Sequence, residues 1–315
     1  MGKNVINFMK LLLLPTGMFV IFTLIAPGFG LHSLPVIISQ SIIQVVLGFG
    51  LSLLMNAELM DFSMGARTVF AAILGGILSQ SMGIPGLLLG CLIGGMFGAL
   101  FMAFLYRYLK IPAMVISLGI VMIYEVLGAK LTGSSGYLRI DSDIYKIGSY
   151  PNNIIILILA GLLCYIIYYK MRIGCHITAV GNDEKMCKNV GVNADRVKFL
   201  AIVLTGVFCA IAAVLTISYS GAISASTGMG TISLIFKPIM CVIIGRQMRK
   251  TLDNMPVLIF IGGLCISIIF NGFIALGLPG ALQDIVLGLF LILIMGYSAK
   301  SDKFKFFQRK LITAK

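Results

Sequence analysis

The sequence predicts an all-α, polytopic membrane protein of about ten transmembrane helices with both termini in the cytoplasm, and three observations carry that reading. The 315 residues are 59% hydrophobic and only 11% charged, with a mean hydropathy of +1.05, so a water-soluble fold would expose far too much apolar surface. Apolar runs recur at about 18 to 22 residues, which at 1.5 Å per residue matches the roughly 30 Å hydrocarbon core of a bilayer. The runs are apolar all round, as in IIILILAGLLCYIIYY (154–169), whereas the strands of a membrane β-barrel are short and alternating.

In chain order the expected spans lie near residues 11–27, 34–55, 64–82, 86–105, 111–129, 154–169, 199–219, 231–245, 257–275 and 284–298. Lys3 and Lys10 before LLLLPTGMFVIFTLIA resemble a secretory signal, but no A-x-A cleavage site follows, and the run reads as an uncleaved first span. Between the second and third spans, LMDFSMGAR offers Asp61 and Ser63 as caps for the third span's first turn. The fourth, GLLLGCLIGGMFGALFMAF (86–104), spaces small residues by three and four, which lets helix backbones approach closely in lipid. In the outer half of the fifth, Glu125 either faces a water-filled path or pairs with Lys130. Lys237 precedes Pro238 in the eighth, where the helix is broken, and either marks a lined cavity or snorkels to the outer interface. A charge at the centre of a span costs roughly 2.5 to 3.5 kcal/mol on insertion scales, so polar side chains within spans need a cavity or a partner. On that ground Gln44, Ser117, Glu125 and Asn271 are candidates for a translocation path.

With the N-terminus inside, the cytoplasmic side receives Lys3, Lys10, Arg67, Arg107, Lys110, Lys170, Arg172, Lys185, Lys188, Arg196, Lys198, Arg246, Arg249, Lys250 and the basic C-terminal tail. Outside fall Lys130, Arg139 and Lys146. This is the positive-inside pattern. The net charge of +13 is thus an orientation signal and a match to anionic inner-leaflet lipid, and does not point to nucleic acid.

Between the sixth and seventh spans lies a polar island, AVGNDEKMCKNVGVNADRVK (179–198). Asp183 to Gly191 reads as one short helix, with Asn182 or Asp183 as N-cap, acids in the first turn, Lys188 in the last and Gly191 as the stop. Met186 and Val190 are four apart and share a face, so the helix is amphipathic and lies outside the bilayer.

Enzymatic readings find little to stand on. The chain has no G-x-x-x-x-G-K-[ST] loop to cradle ATP, no nucleophile elbow and no H-E-x-x-H helix. Its two histidines, His32 and His176, lie in loops, and its seven cysteines form no C-x-x-C pair. Cys175 next to His176 lacks a second ligand pair at zinc spacing, so no metal and no cofactor is expected. A self-contained secondary transporter, the alternative, would place paired ionisable residues at mid-membrane, and buried carboxylates are scarce.

Three stretches together resemble the permease subunits of ribose- and galactose-type ABC importers, a family that also includes nucleoside, autoinducer and branched-chain amino acid permeases. The island is similar to that family's A-[IV]-G-x-N stretch, short acidic helix and D-R-x-K-like entry to the next span. LMDFSMGA (59–66), with Asp61, Ser63 and Gly65, resembles I-D-L-S-V-G-S, and LKIPAMVISLGIVMIYE (109–125) resembles K-I-P-A-x-[IV]-x-[ST]-L-G followed by an I-Y pair. FNGFIALG, near the ninth span, adds to the match. The resemblance implies a single permease domain over 1–315 with a cytoplasmic coupling loop at 170–198. It also implies a second permease subunit, cytoplasmic ABC ATPases, an extracytoplasmic substrate-binding protein and a sugar or sugar-like cargo. Carried over by position, Glu184 to Val190 would be the helix that docks on the ATPase, with Glu184, Met186, Lys188, Val190 and Gly191 as its coupling residues. Two departures stand out. Met186 and Cys187 replace a pair of alanines, and the family's glycine-rich inner loop has become GRQMRKTLDN (245–254), with three basic residues and one glycine. Were that loop near a two-fold axis, basic clusters would face each other, which favours pairing with a related but different permease.

Overall fold

A computed structural model of the chain describes residues 2–133, 136–280, 282, 283, 285–290, 292, 293 and 296. Positions 284, 291, 294, 295, 297 and 298 of the expected tenth span, 284–298, and the basic tail lie outside them. The helices are α1 (Gly2–Ile25), α2 (Leu34–Asn56), α3 (Ser63–Leu109), α4 (Ala113–Thr132), α5 (Ser142–Gly148), α6 (Asn152–Tyr169), α7 (Arg172–Asn182), α8 (Glu184–Asn189), α9 (Ala194–Ser220), α10 (Ser233–Gln247) and α11 (Met255–Ala275). Among the described residues eight helical segments are long and apolar enough to cross a membrane.

The third and fourth expected spans both fall in α3. Its 47 residues would run about 70 Å if straight, more than twice the hydrocarbon thickness. The backbone instead breaks at Gly83, with φ 64° and ψ −140°, two residues before Pro85. A positive φ of this kind suits glycine, and the proline cannot continue an upstream hydrogen-bond ladder. Residues 84–109 therefore fold back along 63–82. The two backbones almost touch: a Cβ on Gly90 would lie 2.6 Å from the Cα of Gly75, and one on Gly94 2.7 Å from the Cα of Ala71. Here the small-residue spacing acts as anticipated, by letting helices approach where lipid offers no hydrophobic drive between them.

α2 and α9 run through the middle of the bundle, their side chains largely buried, and α3 packs along α9. α1 leans on α11 through Phe22 and Phe273, with ring centroids 5.9 Å apart, and presents Leu13 and Leu24 outward. At one end the chain gathers its basic segments. Arg246 hydrogen-bonds Asn56 at the end of α2, Asn7 donates to the carbonyl of Thr251 at 2.8 Å, and the Tyr169 hydroxyl donates to the carbonyl of Asp253 at 3.2 Å. α7 lies across this end with Gly174 against the last turn of α6 and Gly181 against the last residue of α2. At the opposite end the all-α expectation meets an exception, a two-stranded antiparallel ribbon of β1 (Tyr137–Arg139) and β2 (Ala222–Ser224), with Leu138 opposite Ile223. Three-residue strands are too short for alternation to show in sequence.

One of the basic residues counted on the cytoplasmic side is enclosed. Arg67 is fully buried, because the link 57–62 turns inward before α3 begins; the Phe62 amide donates to Ser117 Oγ of α4 at 3.1 Å.

Candidate functional sites on the basic end and at membrane depth

α8 starts where Asp183 Oδ1 accepts the amide of Met186 at 2.9 Å, so Asp183 rather than Asn182 is the cap. The helix is one residue shorter at its start and two shorter at its end than anticipated, since Val190 already sits in a turn and Gly191 adopts φ 86°. Glu184 reaches two cations at once: Oε1 pairs with Lys188 at 2.7 Å and Oε2 with Lys198 of α9 at 2.6 Å. The hydrogen bonds from Lys188 and then Lys198 pull its carboxyl down to a pKa of about 2. The first pair lies within α8 and the second staples α8 to α9. Beside this clamp, Met186 and Val190 stand out, 66% and 76% exposed, at the polar end of the molecule. Both are large apolar side chains that no other part of the described chain covers.

α7 was not legible as a separate helix, though its signal is present: Gly174, Ile177 and Val180 recur every third residue and are its buried positions. A cleft of about 610 Å³ opens beside α8, walled by Glu58, Leu59 and Met60 of the link, Arg107 and Lys110 at the end of α3, and Glu184, Lys188 and Lys198.

A second cleft of about 800 Å³ lies at membrane depth. Its polar lining comes from Gln40 and Gln44 of α2, Thr68 of α3, Thr216 of α9, and Ser233 and Lys237 of α10; Gly65 and Phe270 also line it. Of the two readings open for Lys237, the structure places it on a cavity, its ammonium 4.2 Å from the centre of the Phe270 ring.

Of the four path candidates, Gln44 lines this cleft and the other three do not. Ser117 is fully buried, donating to the carbonyl of Met114 at 2.7 Å and accepting Phe62 N. Asn271 donates to Gln40 Oε1 at 2.9 Å and to the carbonyl of Ser267 at 2.8 Å, so it braces a cleft residue. Glu125 lines neither cleft, and among the described ion pairs it is not joined to Lys130. Its Oε1 accepts the amide and hydroxyl of Thr231 at 2.8 and 2.7 Å, and its Oε2 accepts the amide of Met229 at 2.8 Å. It thereby clamps the turn that precedes α10.

Asp61 and Ser63 meet at the start of α3, where Asp61 Oδ1 accepts the Ser63 amide at 2.8 Å and its hydroxyl at 2.6 Å. Asp61 Oδ2 also forms an ion pair with Arg67, both side chains being wholly inaccessible, and Arg67 Nη1 donates to Thr205 Oγ1 at 3.2 Å. Sequence reasoning missed this pair. The available signal was an arginine six residues after an aspartate inside an apolar run, and it was absorbed into the count of cytoplasmic charges. Gly65 has its own constraint, since a Cβ there would collide with the carbonyl of Thr231.

A bundle of membrane-spanning helices around a cleft has the build of a membrane permease. Residues 34–295 match the family described as the permease component of branched-chain amino acid transport systems, and the chain belongs to that family. It is 25% identical over 283 residues to the autoinducer 2 import system permease protein LsrC of Yersinia pestis (strain Pestoides F), covering 86% of this chain and 78% of that one. Against the protein of the same name from Photorhabdus luminescens the identity is 23% over 279 residues, covering 86% and 83%. The fold is shared with a solved metal-chelate type ABC transporter in an inward-facing conformation, with a TM-score of 0.52 and 17% identity over 89% of this chain and 99% of that one. The protein is thus a non-catalytic, multi-pass permease subunit of an ABC importer. ATP hydrolysis belongs to a partner ATPase.

Proposed function

We propose that this chain forms the translocation path for a sugar or sugar-like solute, delivered by an extracytoplasmic binding protein and driven by a cytoplasmic ATPase that docks on α8. The observation that carries the docking is the pair Met186 and Val190, exposed on α8 and on the turn that ends it, beside a Glu184 that pairs with Lys188 and Lys198. Apolar side chains at the centre and Lys188 at the rim suit a cleft in a soluble partner. The basic end is then the cytoplasmic one, with both chain termini on that side of a ten-helix permease.

The path runs along the membrane-depth cleft, where Gln44, Thr68 and Ser233 offer amide and hydroxyl groups to a hydroxyl-rich solute. Relatives named as autoinducer 2 importers support a sugar-like cargo. A second permease subunit, of the same or a related chain, completes the importer. The like-charge argument for a different partner is softened by contacts within the chain, because Arg249 Nε pairs with Asp253 at 3.0 Å and Arg246 is held by Asn56.

Photo-crosslinking residues placed at 186 and 190 test the docking in a purified complex. Labelling of the ATPase supports it, and labelling of lipid alone refutes it. The cargo is identified by what the cognate binding protein retains.

A further inference from the structure

One short stretch of chain lines both clefts. Glu58, Leu59 and Met60 wall the cleft beside α8, and Gly65, Thr68 and Val69 wall the one at membrane depth. Five positions separate Met60 from Gly65, and the Asp61–Arg67 pair ties this stretch together. We propose that Asp61 and Arg67 are positioning residues for transport, fastening residues 58–69 to α9 so that a displacement of α8 changes the membrane-depth cleft. This rests on the reading of α8 as the ATPase contact and of that cleft as the path.

The contacts form an unbroken series. Glu184 of α8 holds Lys198 at 2.6 Å. Thr205, seven residues further along α9 and therefore on the same face two turns away, accepts Arg67 Nη1 at 3.2 Å. Arg67 pairs with Asp61, whose other oxygen fixes the amide and hydroxyl of Ser63. The arginine stem is held from behind as well, since a Cβ on Gly98 would come within 2.9 Å of its Cγ.

A well-packed apolar pair would stabilise this site at least as well as a buried ion pair does. What charge adds is direction: the carboxylate and guanidinium fix the angle between the link and α3, which apolar packing does not. The node also has unused hydrogen-bonding groups. Among the described residues, buried Arg67 Nε and the Tyr124 hydroxyl make no hydrogen bond, leaving donors for a second arrangement of the pair, as an element with two discrete states requires.

The test uses the full complex, with Gln44→Cys as a reporter and exposed Cys175 and partly exposed Cys187 changed to serine. The rate of reaction with a membrane-impermeant thiol reagent is measured without nucleotide and after trapping with ATP and vanadate. Trapping is expected to change the rate by about fivefold or more in the reporter protein and by less than about twofold in Arg67→Lys and in the double variant Asp61→Asn/Arg67→Met, with ATP hydrolysis retained. Arg67→Lys keeps the compensating charge and guards against a double variant that does not assemble. A purely structural role would lower the amount of complex and leave the ratio of rates unchanged. Assembled Arg67→Lys complex that responds like the parent overturns the proposal. If the parent reporter does not respond to trapping, the reading of the cleft as the path falls, and this inference with it.

Discussion

Replacing Glu125 with glutamine separates a clamp from a path residue. The carboxylate accepts three hydrogen bonds, from the amide and hydroxyl of Thr231 on one oxygen and from the amide of Met229 on the other. Glutamine keeps one acceptor and must turn its NH₂ toward one of those donors. The change removes one charge-assisted hydrogen bond, about 1.5 to 3 kcal/mol, and strands an amide, about 1 to 3 kcal/mol more. The total is roughly 2.5 to 6 kcal/mol. Met229 adds to the strain because it is held at φ 65°, a left-handed conformation that a residue with a side chain adopts at a cost of about 1 to 2 kcal/mol. Thermal unfolding of the purified protein in detergent, followed beside yield, is the assay. Glu125→Gln should unfold at a clearly lower temperature and lose transport only in proportion to folded protein. An unchanged melting curve refutes the clamp; if transport is then abolished, the path role is restored.

Further outcomes follow from the α8 face and the α3 hairpin. Met186→Glu places a charge in the centre of the exposed apolar pair and should reduce ATPase co-purification at least tenfold, about 1.4 kcal/mol. Glu184 has its carboxyl depressed from 4.5 to about 2, so its contribution to anchoring is complete above the higher value and fades as pH falls through the lower one. A nitroxide on Lys185→Cys should therefore show constant mobility from about pH 8 to about pH 5 and loosen only in stronger acid, while Glu184→Gln should be loose throughout. Gly90→Val drives side-chain atoms into the Gly75 backbone and should destabilise by about 1 to 3 kcal/mol or more. Gly119→Ala, where a Cβ meets nothing within 4 Å, should melt like the parent.

Apolar length and glycine spacing made the spans of α2, α4, α6, α9 and α11 legible, because lipid imposes one local rule on every such segment. The cap and stop of α8 were legible for the same reason: Asp183 and Gly191 act within a few residues of themselves. The polar side chains within spans were not. Glu125 and Ser117 look unpartnered in isolation, and the groups they bond, Thr231 and Phe62, are brought from 106 and 55 positions away. The burial of Arg67 was hidden for a related reason. A count of positive charges treats each as a surface group, and only the inward course of the link 57–62 reveals that this one is enclosed.

The order in which the partners of Arg67 leave the ribosome matters for how the protein is made. Thr205 lies 138 positions downstream, which at ribosomal speeds is on the order of ten seconds of synthesis. During that interval the first half of α3 must enter the membrane carrying an arginine that its final neighbours do not yet cover. Asp61, six positions upstream, has already been made and travels with it. The counter-ion of Arg67 thus lies within six residues of it, so that its charge balance does not wait for α9 to be made.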